Sequence, residues 1–178
     1  MIDLDDDKIF FAKVKPNAVI PSKKKEDAGY DVYACFDEDY FVIEPFKTRA
    51  VPTGIASAFS SKYYAQVEER SSTGKLGLKK SSGVIDSGYR GEYLIMTYNT
   101  NDVPFVITKL ETDEIPETFA VDEKVYNKNQ VVFYPYKKAI CQVVMHIVPC
   151  LEEFELPYEE LLKISSERGT SGFGSSGK

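Results

Sequence analysis

Residues 83–92 carry the strongest chemical signal in the sequence. They read Gly-Val-Ile-Asp-Ser-Gly-Tyr-Arg-Gly-Glu, so an apolar pair is followed at once by a carboxylate, Asp86. This order is typical of a strand that runs into a tight turn. A carboxylate aimed by such a turn can hold and activate a water molecule, and we expect it to be partly desolvated and to need a cationic neighbour that keeps it ionised. The alternative is a structural turn in which Asp86 binds only nearby backbone N–H groups.

Residues 70–77 form a second candidate site, because their composition suits an oxyanion. The segment Arg-Ser-Ser-Thr-Gly-Lys-Leu-Gly combines two cations, three hydroxyls and two glycines. Hydroxyl and N–H donors can surround an anion while the cations offset its charge. The spacing of a Walker loop is absent. We predict a loop here, with Arg70 also placed to hold Asp86 ionised.

Three polar residues stand in stretches that otherwise predict buried strands. Asp31 lies in 28–34, and Gln142 and His146 lie in 140–148. A buried carboxylate or amide needs a partner, so Asp31 is either a structural hydrogen-bonding residue or a group near a metal ion, and Gln142 needs a partner in a pocket or in the core. His146, the only histidine, has no Ser or Cys partner at a recognisable spacing, and we interpret it as a packed or half-exposed strand residue.

The spacing of apolar residues predicts strands along most of the chain, as in an antiparallel sandwich or barrel. The predicted strands are 9–14, 28–34, 41–46, 49–59 with a break at Pro52 and Gly54, 63–68, 84–85, 93–99, 103–110, 131–136 and 140–148. The one predicted helix is 157–164. The acidic segment 112–130 shows no sustained period, and we interpret it as a surface insertion.

Composition and charge bound the class of protein. The 178 residues are 43% hydrophobic, which suffices for one domain with a single core. A net charge of −6 without a long basic run argues against a groove for nucleic acid. Cys35, Cys141 and Cys150 form no CxxC pair, so we expect reduced, buried thiols and no zinc site. With no apolar run near the ~20 residues of a membrane span, we predict a cytoplasmic protein without a membrane partner.

The segment 168–178 has too few apolar groups to fold by itself and is expected to be mobile. Its residue types suit a lid over an aromatic base that bears phosphates. Phe173 would stack on the base, Arg168 would supply charge, and Ser175 and Ser176 would donate hydrogen bonds. The alternative is a frayed tail.

Five segments resemble, in order, the five motifs of the trimeric dUTPase family, the deoxyuridine triphosphate nucleotidohydrolases: 28–32, 70–77, 83–92, 140–144 and 168–177. They span nearly the whole chain, and the segment 109–130 falls outside them as a longer connection. The resemblance implies an all-β, jelly-roll-like barrel or sandwich covering 1–166, with 167–178 as the mobile lid that completes an active site. It also implies a homotrimer in which each active site is built from more than one chain.

The resemblance implies the reaction as well. Water attacks the α-phosphorus of dUTP and gives dUMP and pyrophosphate, with Mg²⁺ on the triphosphate; this keeps uracil out of DNA and supplies dUMP for thymidylate synthesis. In-line attack on a polyanion needs positioning, charge neutralisation and a poised base, but no covalent nucleophile. The metal is expected on phosphate oxygens and waters, with no direct protein ligand and with Asp31 at most nearby.

Residue roles are implied by the same resemblance. Asp86 resembles the general base, Arg70 the residue that pairs with it, and Tyr89 the ring that packs against the deoxyribose. The other implied residues contact the base or the phosphates: Ser71, Ser72, Gly83, Val84, Ile85, Gln142, Arg168, Phe173, Gly174, Ser175 and Ser176.

Three features depart from the family pattern. The segment 70–83 is shorter than in many members of the family. Lys80 stands roughly where several members carry an asparagine that reads the uracil edge, so base recognition here would depend on backbone groups around 81–84. Ala139 stands where an arginine often precedes the fourth motif, so one cation is expected to be missing.

Two alternatives to dUTP hydrolysis stay open. The related dCTP deaminases share the Arg-Ser-Ser motif and a similar Ile-Asp loop, but they carry a glutamate base in the following strand, where this chain has Met96. A dUTPase-like trimer could instead sequester a partner protein, with 109–130 as its contact surface. Met96 at that position and the glycine-rich tail, which is a feature of the hydrolases, disfavour deamination. The intact motif residues favour retained catalysis over a role in binding alone.

Overall fold

The computed structural model describes residues 4, 7–81 and 83–171, and nearly all of its regular structure is β. The strands are β1 Ile9–Lys13, β2 Gly29–Val32, β3 Tyr40–Ile43, β4 Thr48–Pro52, β5 Ile55–Phe59, β6 Tyr63–Glu69, β7 Leu78–Lys80, β8 Val84–Ile85, β9 Leu94–Asn99, β10 Phe105–Thr108, β11 Thr118–Val121, β12 Lys124–Asn127, β13 Val132–Pro135 and β14 Cys141–Ile147. The helical elements of these residues are short: α1 Ser71–Lys75, the 3₁₀ turn η1 Lys128–Gln130 and α2 Tyr158–Leu161. The predicted all-β, jelly-roll-like class is confirmed.

The described strands form sheets of two to four strands, ordered β1-β5, β13-β10-β3, β11-β12, β2-β14-β6-β8 and β4-β9-β7. Paired strands are antiparallel except β10 and β13, which are parallel. Alternate side chains point inward, as β9 shows: Ile95, Thr97 and Asn99 are buried and their neighbours are not. The inward faces meet in one main hydrophobic core.

The sheet β2-β14-β6-β8 carries polar side chains in register. Gln142 on β14 pairs with Asp31 on β2 and with Glu68 on β6. Directly opposed residues of neighbouring strands point to the same face, so these three side chains form one row. Arg70 follows the end of β6 beside this row. The register therefore brings together polar residues from three separate parts of the sequence.

The inserted segment is an ordered hairpin. Strands β11 and β12 pair from Thr118 to Asn127, and Asp122 takes a φ of 53° in the turn between them. Phe119 and Val121 are buried against Val106 in a second, smaller hydrophobic cluster. This packing explains why a segment without sustained periodicity adopts a defined structure.

Besides the elements of the insertion, two short elements were not predicted. The prediction of one helix is wrong, because a single turn, α1, forms where a loop was expected: Gly74 N–H donates to the Arg70 carbonyl at 2.9 Å, and Thr73 Oγ1 donates to it at 3.0 Å. Strand β7 carries only one apolar residue, Leu78, and is held by pairing with β9.

Residues Pro149–Lys178 form a unit distinct from Met1–Val148. The predicted helix lies in this unit but is shorter than expected, beginning after Pro157. Cys35 and Cys141 are buried as predicted, whereas the prediction is wrong for Cys150, which is exposed in this loop-rich segment. Within the described part of the chain, no helix has the length and apolar character needed to cross a membrane.

Candidate active site

Asp86 lies at a hollow of about 240 Å³, which we call the first hollow. Strand β8 ends before it, and a turn follows in which Tyr89 N–H donates to the Asp86 carbonyl at 3.1 Å. The Asp86 side chain is exposed, so the prediction of partial desolvation by its apolar neighbours is wrong for a single chain. Val84 cannot shield it, being itself 64% exposed. The first hollow is lined by Val67, Gly83, Val84, Ile85, Asp86, Tyr89, Glu92, Tyr93, Leu94, Ile95 and Met96.

The turn after Asp86 is anchored by its last residues. The Tyr89 hydroxyl donates to the Glu92 carbonyl at 3.1 Å, and the Glu92 carboxylate accepts the Gly54 N–H at 2.7 Å. A Cβ at Gly91 would collide with the Tyr89 ring, so glycine is needed there. The ring is held in place while almost half of its surface stays open to a ligand.

A polar hollow of about 470 Å³, which we call the second hollow, gathers predicted residues from three segments. It is lined by Asp27, Ala28, Gly29, Asp31, Arg70, Ser71, Ser72 and Gln142. The cation, hydroxyl and amide donors among them are the groups that an oxyanion requires. Sequence reasoning missed Asp27; its position directly before the first motif was the signal that could have identified it.

Arg70 pairs with Asp31 in this hollow. Arg70 Nε lies 3.1 Å from Asp31 Oδ1, and Arg70 Nη1 donates to the Ala139 carbonyl at 3.2 Å. The predicted pair with Asp86 is not formed within the chain. Ala65 is the partner of Ile85, next to Asp86, and Arg70 follows the other end of β6. Roughly 17 Å of strand, at ~3.3 Å per residue, separates the two positions.

Gln142 lies directly against Gly29. A Cβ at Gly29 would be 2.9 Å from Gln142 Oε1 and 3.0 Å from its Cβ, so the two strands approach closely at this glycine. Gln142 Nε2 is 3.5 Å from the Glu69 carbonyl, at the limit of a hydrogen bond. The amide is therefore held by packing and keeps hydrogen-bonding capacity for a ligand.

The hydroxyls of α1 differ in their surroundings. Ser71 is exposed, and Ser72 Oγ shares a hydrogen bond of 3.2 Å with the Tyr134 hydroxyl. The same Tyr134 hydroxyl donates to the Ala139 carbonyl at 2.6 Å. The carbonyl of Ala139 thus receives donors from Tyr134 and from Arg70.

The thiol next to this site is not a nucleophile. Burial raises the pKa of Cys141, the nearby Asp31 carboxylate raises it further, and the Arg70 guanidinium opposes this. The thiol therefore stays protonated near neutral pH. His146 is exposed on β14 and stacks on Tyr64 with ring centroids 5.1 Å apart, in agreement with its interpretation as a strand residue.

The donor set fits a metal carried by the substrate. The described residues contain no group of three His, Cys, Asp or Glu side chains that could hold an ion. The carboxylates of the second hollow are Asp27 and Asp31, and the latter is paired with Arg70. Mg²⁺ typically takes one or two carboxylates, substrate phosphates and waters, so phosphate oxygens would have to supply most of its ligands here.

The predicted lid is only partly described. In the unit Pro149–Lys178, Arg168 is exposed and its Nε donates to the Ser171 carbonyl at 2.9 Å. Phe173, Gly174, Ser175 and Ser176 lie outside the described residues. Their roles stay predictions.

Comparison with known proteins gives one consistent result. The sequence model of the dUTPase family matches residues 15–112. The deoxyuridine 5'-triphosphate nucleotidohydrolase of Leptospira interrogans is 38% identical over 104 residues, which are 56% of this chain and 71% of that protein. The protein of that name from Bordetella pertussis is 33% identical over 155 residues, covering 85% of this chain and 83% of its own. The solved structure of Staphylococcus bacteriophage 80alpha dUTPase with dUpNHpp matches with a TM-score of 0.72 at 24% identity, covering 97% of this chain and all of that one.

Proposed function

This chain belongs to the dUTPase family, and from that premise we propose that it hydrolyses dUTP to dUMP and pyrophosphate at a site formed by both hollows. The observation that carries the proposal is the division of the site residues between the two hollows. The first hollow has the exposed carboxylate and the aromatic ring, Asp86 and Tyr89, and the second has the oxyanion donors. Each hollow supplies what the other lacks for phosphoryl transfer.

We propose further that the two hollows of one site come from different chains of a homotrimer. Asp86 and Arg70 lie at opposite ends of β6 within a chain. A base at that separation cannot direct water onto a phosphate held in the second hollow of the same chain. A neighbouring copy can, if its first hollow faces the second hollow of this one, and a closed ring of such contacts repeats the site in every chain.

Exposed apolar side chains support this assembly. In the unit Met1–Val148, Val84 and Leu94 at the first hollow are 64% and 52% exposed, and Ile147 at the end of β14 is 74% exposed. Leu151 and Phe154 of the other unit are at least 80% exposed. Apolar surface of this extent is typical of a subunit interface.

In the proposed mechanism, Asp86 accepts a proton from the attacking water as the water oxygen bonds to the α-phosphorus. The bond from the α-phosphorus to the oxygen that bridges to the β-phosphorus breaks, and pyrophosphate leaves with that oxygen. The Tyr89 ring packs against the deoxyribose. From the neighbouring chain, Arg70 offsets phosphate charge while Ser71 and Gln142 donate hydrogen bonds. A magnesium ion bound to the triphosphate would add charge neutralisation and orient its oxygens.

The tail completes the proposal as a lid. Arg168 would hold the γ-phosphate, Phe173 would stack on uracil, and Gly174, Ser175 and Ser176 would contact the phosphates. The exclusion of water by such closure strengthens every electrostatic contact in the site. The three unpaired thiols support the proposal of a cytoplasmic enzyme.

Pyrophosphate release from dUTP, dCTP, dTTP and UTP with Mg²⁺ tests this function. We expect release from dUTP far above the other three, and a loss of at least about 100-fold in Asp86→Asn, which keeps the shape of the side chain but removes the base. Equal release from dUTP and dCTP would contradict the proposed substrate. Full activity of Asp86→Asn would contradict the proposed base.

A further inference from the structure

An ion pair joins two sheets beside the first hollow. Lys80 ends β7 of the sheet β4-β9-β7, and Glu68 lies on β6 of the sheet β2-β14-β6-β8. Lys80 Nζ lies 2.7 Å from Glu68 Oε2 and donates to the Val67 carbonyl at 2.8 Å. The Lys80 backbone N–H donates to Glu69 Oε1 at 3.2 Å. Because Val67 lines the hollow, Lys80 ties one wall of it to the neighbouring sheet.

The backbone after Lys80 is fixed to both walls of the first hollow. Ser81 N–H donates to the Met96 carbonyl at 2.8 Å, and the Gly83 carbonyl accepts the Val67 N–H at 2.7 Å. Met96 and Val67 both line the hollow, on different sheets. The positions of Ser81 and Gly83 therefore depend on the distance between the walls, which the Lys80 contacts hold.

The first hollow is tightly packed around Gly83. A Cβ at Gly83 would lie 2.6 Å from Gln66 Nε2 and 3.1 Å from the Val67 carbonyl oxygen. Gln66 Nε2 also donates to that oxygen at 3.3 Å, so one carbonyl receives an amide and an ammonium group. Removal of the ammonium would leave the Val67 carbonyl with the weaker, longer donor alone and free the wall to shift.

We propose that the ion pair of Lys80 and Glu68 acts as a clamp. It sets the width of the first hollow near Val67, Gly83 and Met96, where the base would bind, and this makes Lys80 a positioning residue for base selection. This inference rests on the proposed dUTP site. Uracil presents an N–H and a carbonyl oxygen where cytosine presents a bare nitrogen and an amino group. Backbone groups distinguish these patterns only while they are held at hydrogen-bonding distance from the base. At that distance a mismatched pair of polar groups costs much binding free energy, whereas the same mismatch at a longer distance costs little.

The clamp explains how this chain selects a base without the asparagine that several family members carry at the Lys80 position. An ammonium group tied to Glu68 and Val67 does not need to touch the base. It keeps main-chain groups in place instead. The side chains of Lys80 and Glu68 are 27% and 39% exposed, so their contacts can be removed without opening the core.

The test measures kcat and KM for dUTP and dCTP separately. Lys80→Met removes the charge and keeps most of the side-chain volume, Glu68→Gln removes the partner charge, and Lys80→Arg keeps the cation. We expect Lys80→Met and Glu68→Gln to raise KM for dUTP about tenfold, to change kcat less than about threefold, and to lower the preference for dUTP over dCTP about tenfold. Lys80→Arg should restore most of the preference. Lys79→Met, the exposed neighbour on β7, is the matched control and should change neither constant.

Several outcomes would overturn the inference. Unchanged KM and preference in Lys80→Met would show that the clamp has no role. A loss in Lys80→Met with none in Glu68→Gln would mean that Lys80 contacts the base itself. If the unmodified chain released no pyrophosphate, the proposed function would fail and the inference with it; an active chain whose variants all stay selective would refute the inference alone. Should Lys80→Met fail to fold, Glu68→Gln and Lys80→Arg carry the comparison.

Discussion

Arg70 and Asp31 form an ion pair across the end of the sheet, with Arg70 Nε 3.1 Å from Asp31 Oδ1 and with each side chain about one-third exposed. The pair orients the guanidinium toward the second hollow, and Nη1 is held at the Ala139 carbonyl as well. Asp31, which is half-buried rather than buried, is thus a structural partner of the proposed phosphate-binding cation. At this exposure the pair itself adds little to stability, so its main effect is on geometry.

Replacing Asp31 with Asn should therefore reduce activity more than stability. The neutral amide no longer fixes Arg70, and we expect kcat/KM for dUTP to fall about tenfold while the midpoint of thermal unfolding changes by less than about 3 °C. Glu44→Gln is the control, because it removes the partner of Arg49 in another ion pair, of 2.7 Å. Similar activity losses in both variants would show that the Asp31 contact has no special role.

Gly29→Ala should displace Gln142. The new Cβ would be within 3.1 Å of three Gln142 atoms, so the amide has to move out of the second hollow. We expect kcat/KM for dUTP to fall at least about tenfold. In Gly74→Ala the one contact of the added Cβ with described residues outside α1 is the Lys79 ammonium, at 3.6 Å, and activity and stability should be retained. A fully active Gly29→Ala enzyme would exclude Gln142 as a substrate-binding residue.

The three cysteines should differ in reactivity. Burial raises the pKa of Cys35 and of Cys141, and both side chains are inaccessible, whereas Cys150 is exposed. Iodoacetamide on the native protein should modify Cys150 alone, and all three thiols should react in denaturant. Mass spectrometry of the digested protein identifies the modified residue. Labelling of Cys141 at the rate of Cys150 would contradict the burial of Cys141.

Stability should decrease in alkaline solution. Burial raises the pKa of Cys141 and of Tyr93, so the unfolded chain loses these protons at a lower pH than the folded chain does. Their contribution is complete below the ordinary thiol value of about 8.5 and is lost as the pH rises toward the folded-state values. Denaturant titrations between about pH 8 and 10.5 should show the free energy of unfolding falling. The fall should be shallower in Cys141→Ala and unchanged in Cys150→Ala; equal slopes in all three proteins would contradict this assignment.

Local pattern predicted most strands, because the alternation of apolar and polar residues is a short-range signal. The alternation in β6 and the Val-Ile-Asp sequence before the turn can each be recognised within a single segment of the sequence. The partner of Arg70 could not be predicted from the sequence, because it depends on the register of three strands that brings Asp31 beside Arg70. Tertiary pairing likewise decides β7, whose sequence Leu-Lys-Lys has no strand signal of its own.

The structure of the inserted hairpin also depends on tertiary packing. Phe119 and Val121 are stabilised by burial against Val106, which precedes them on β10. The hairpin's only local signal was the turn at Asp122, too little to predict paired strands. The Lys80 clamp also went unpredicted, because it joins residues of two sheets whose adjacency no local pattern encodes.

The most direct test of the account is complementation between two inactive variants. Asp86→Asn lacks the proposed base and Arg70→Ala the proposed phosphate cation, so each alone should release no more than about 1% of the wild-type pyrophosphate from dUTP. Unfolded together in equal amounts and refolded, they should regain about a quarter of wild-type activity, because random assembly gives that share of sites an intact residue from each of two chains. Wild-type protein taken through the same cycle is the control. If the control recovers and the mixture stays inactive, the site lies within one chain and the shared-site account is wrong.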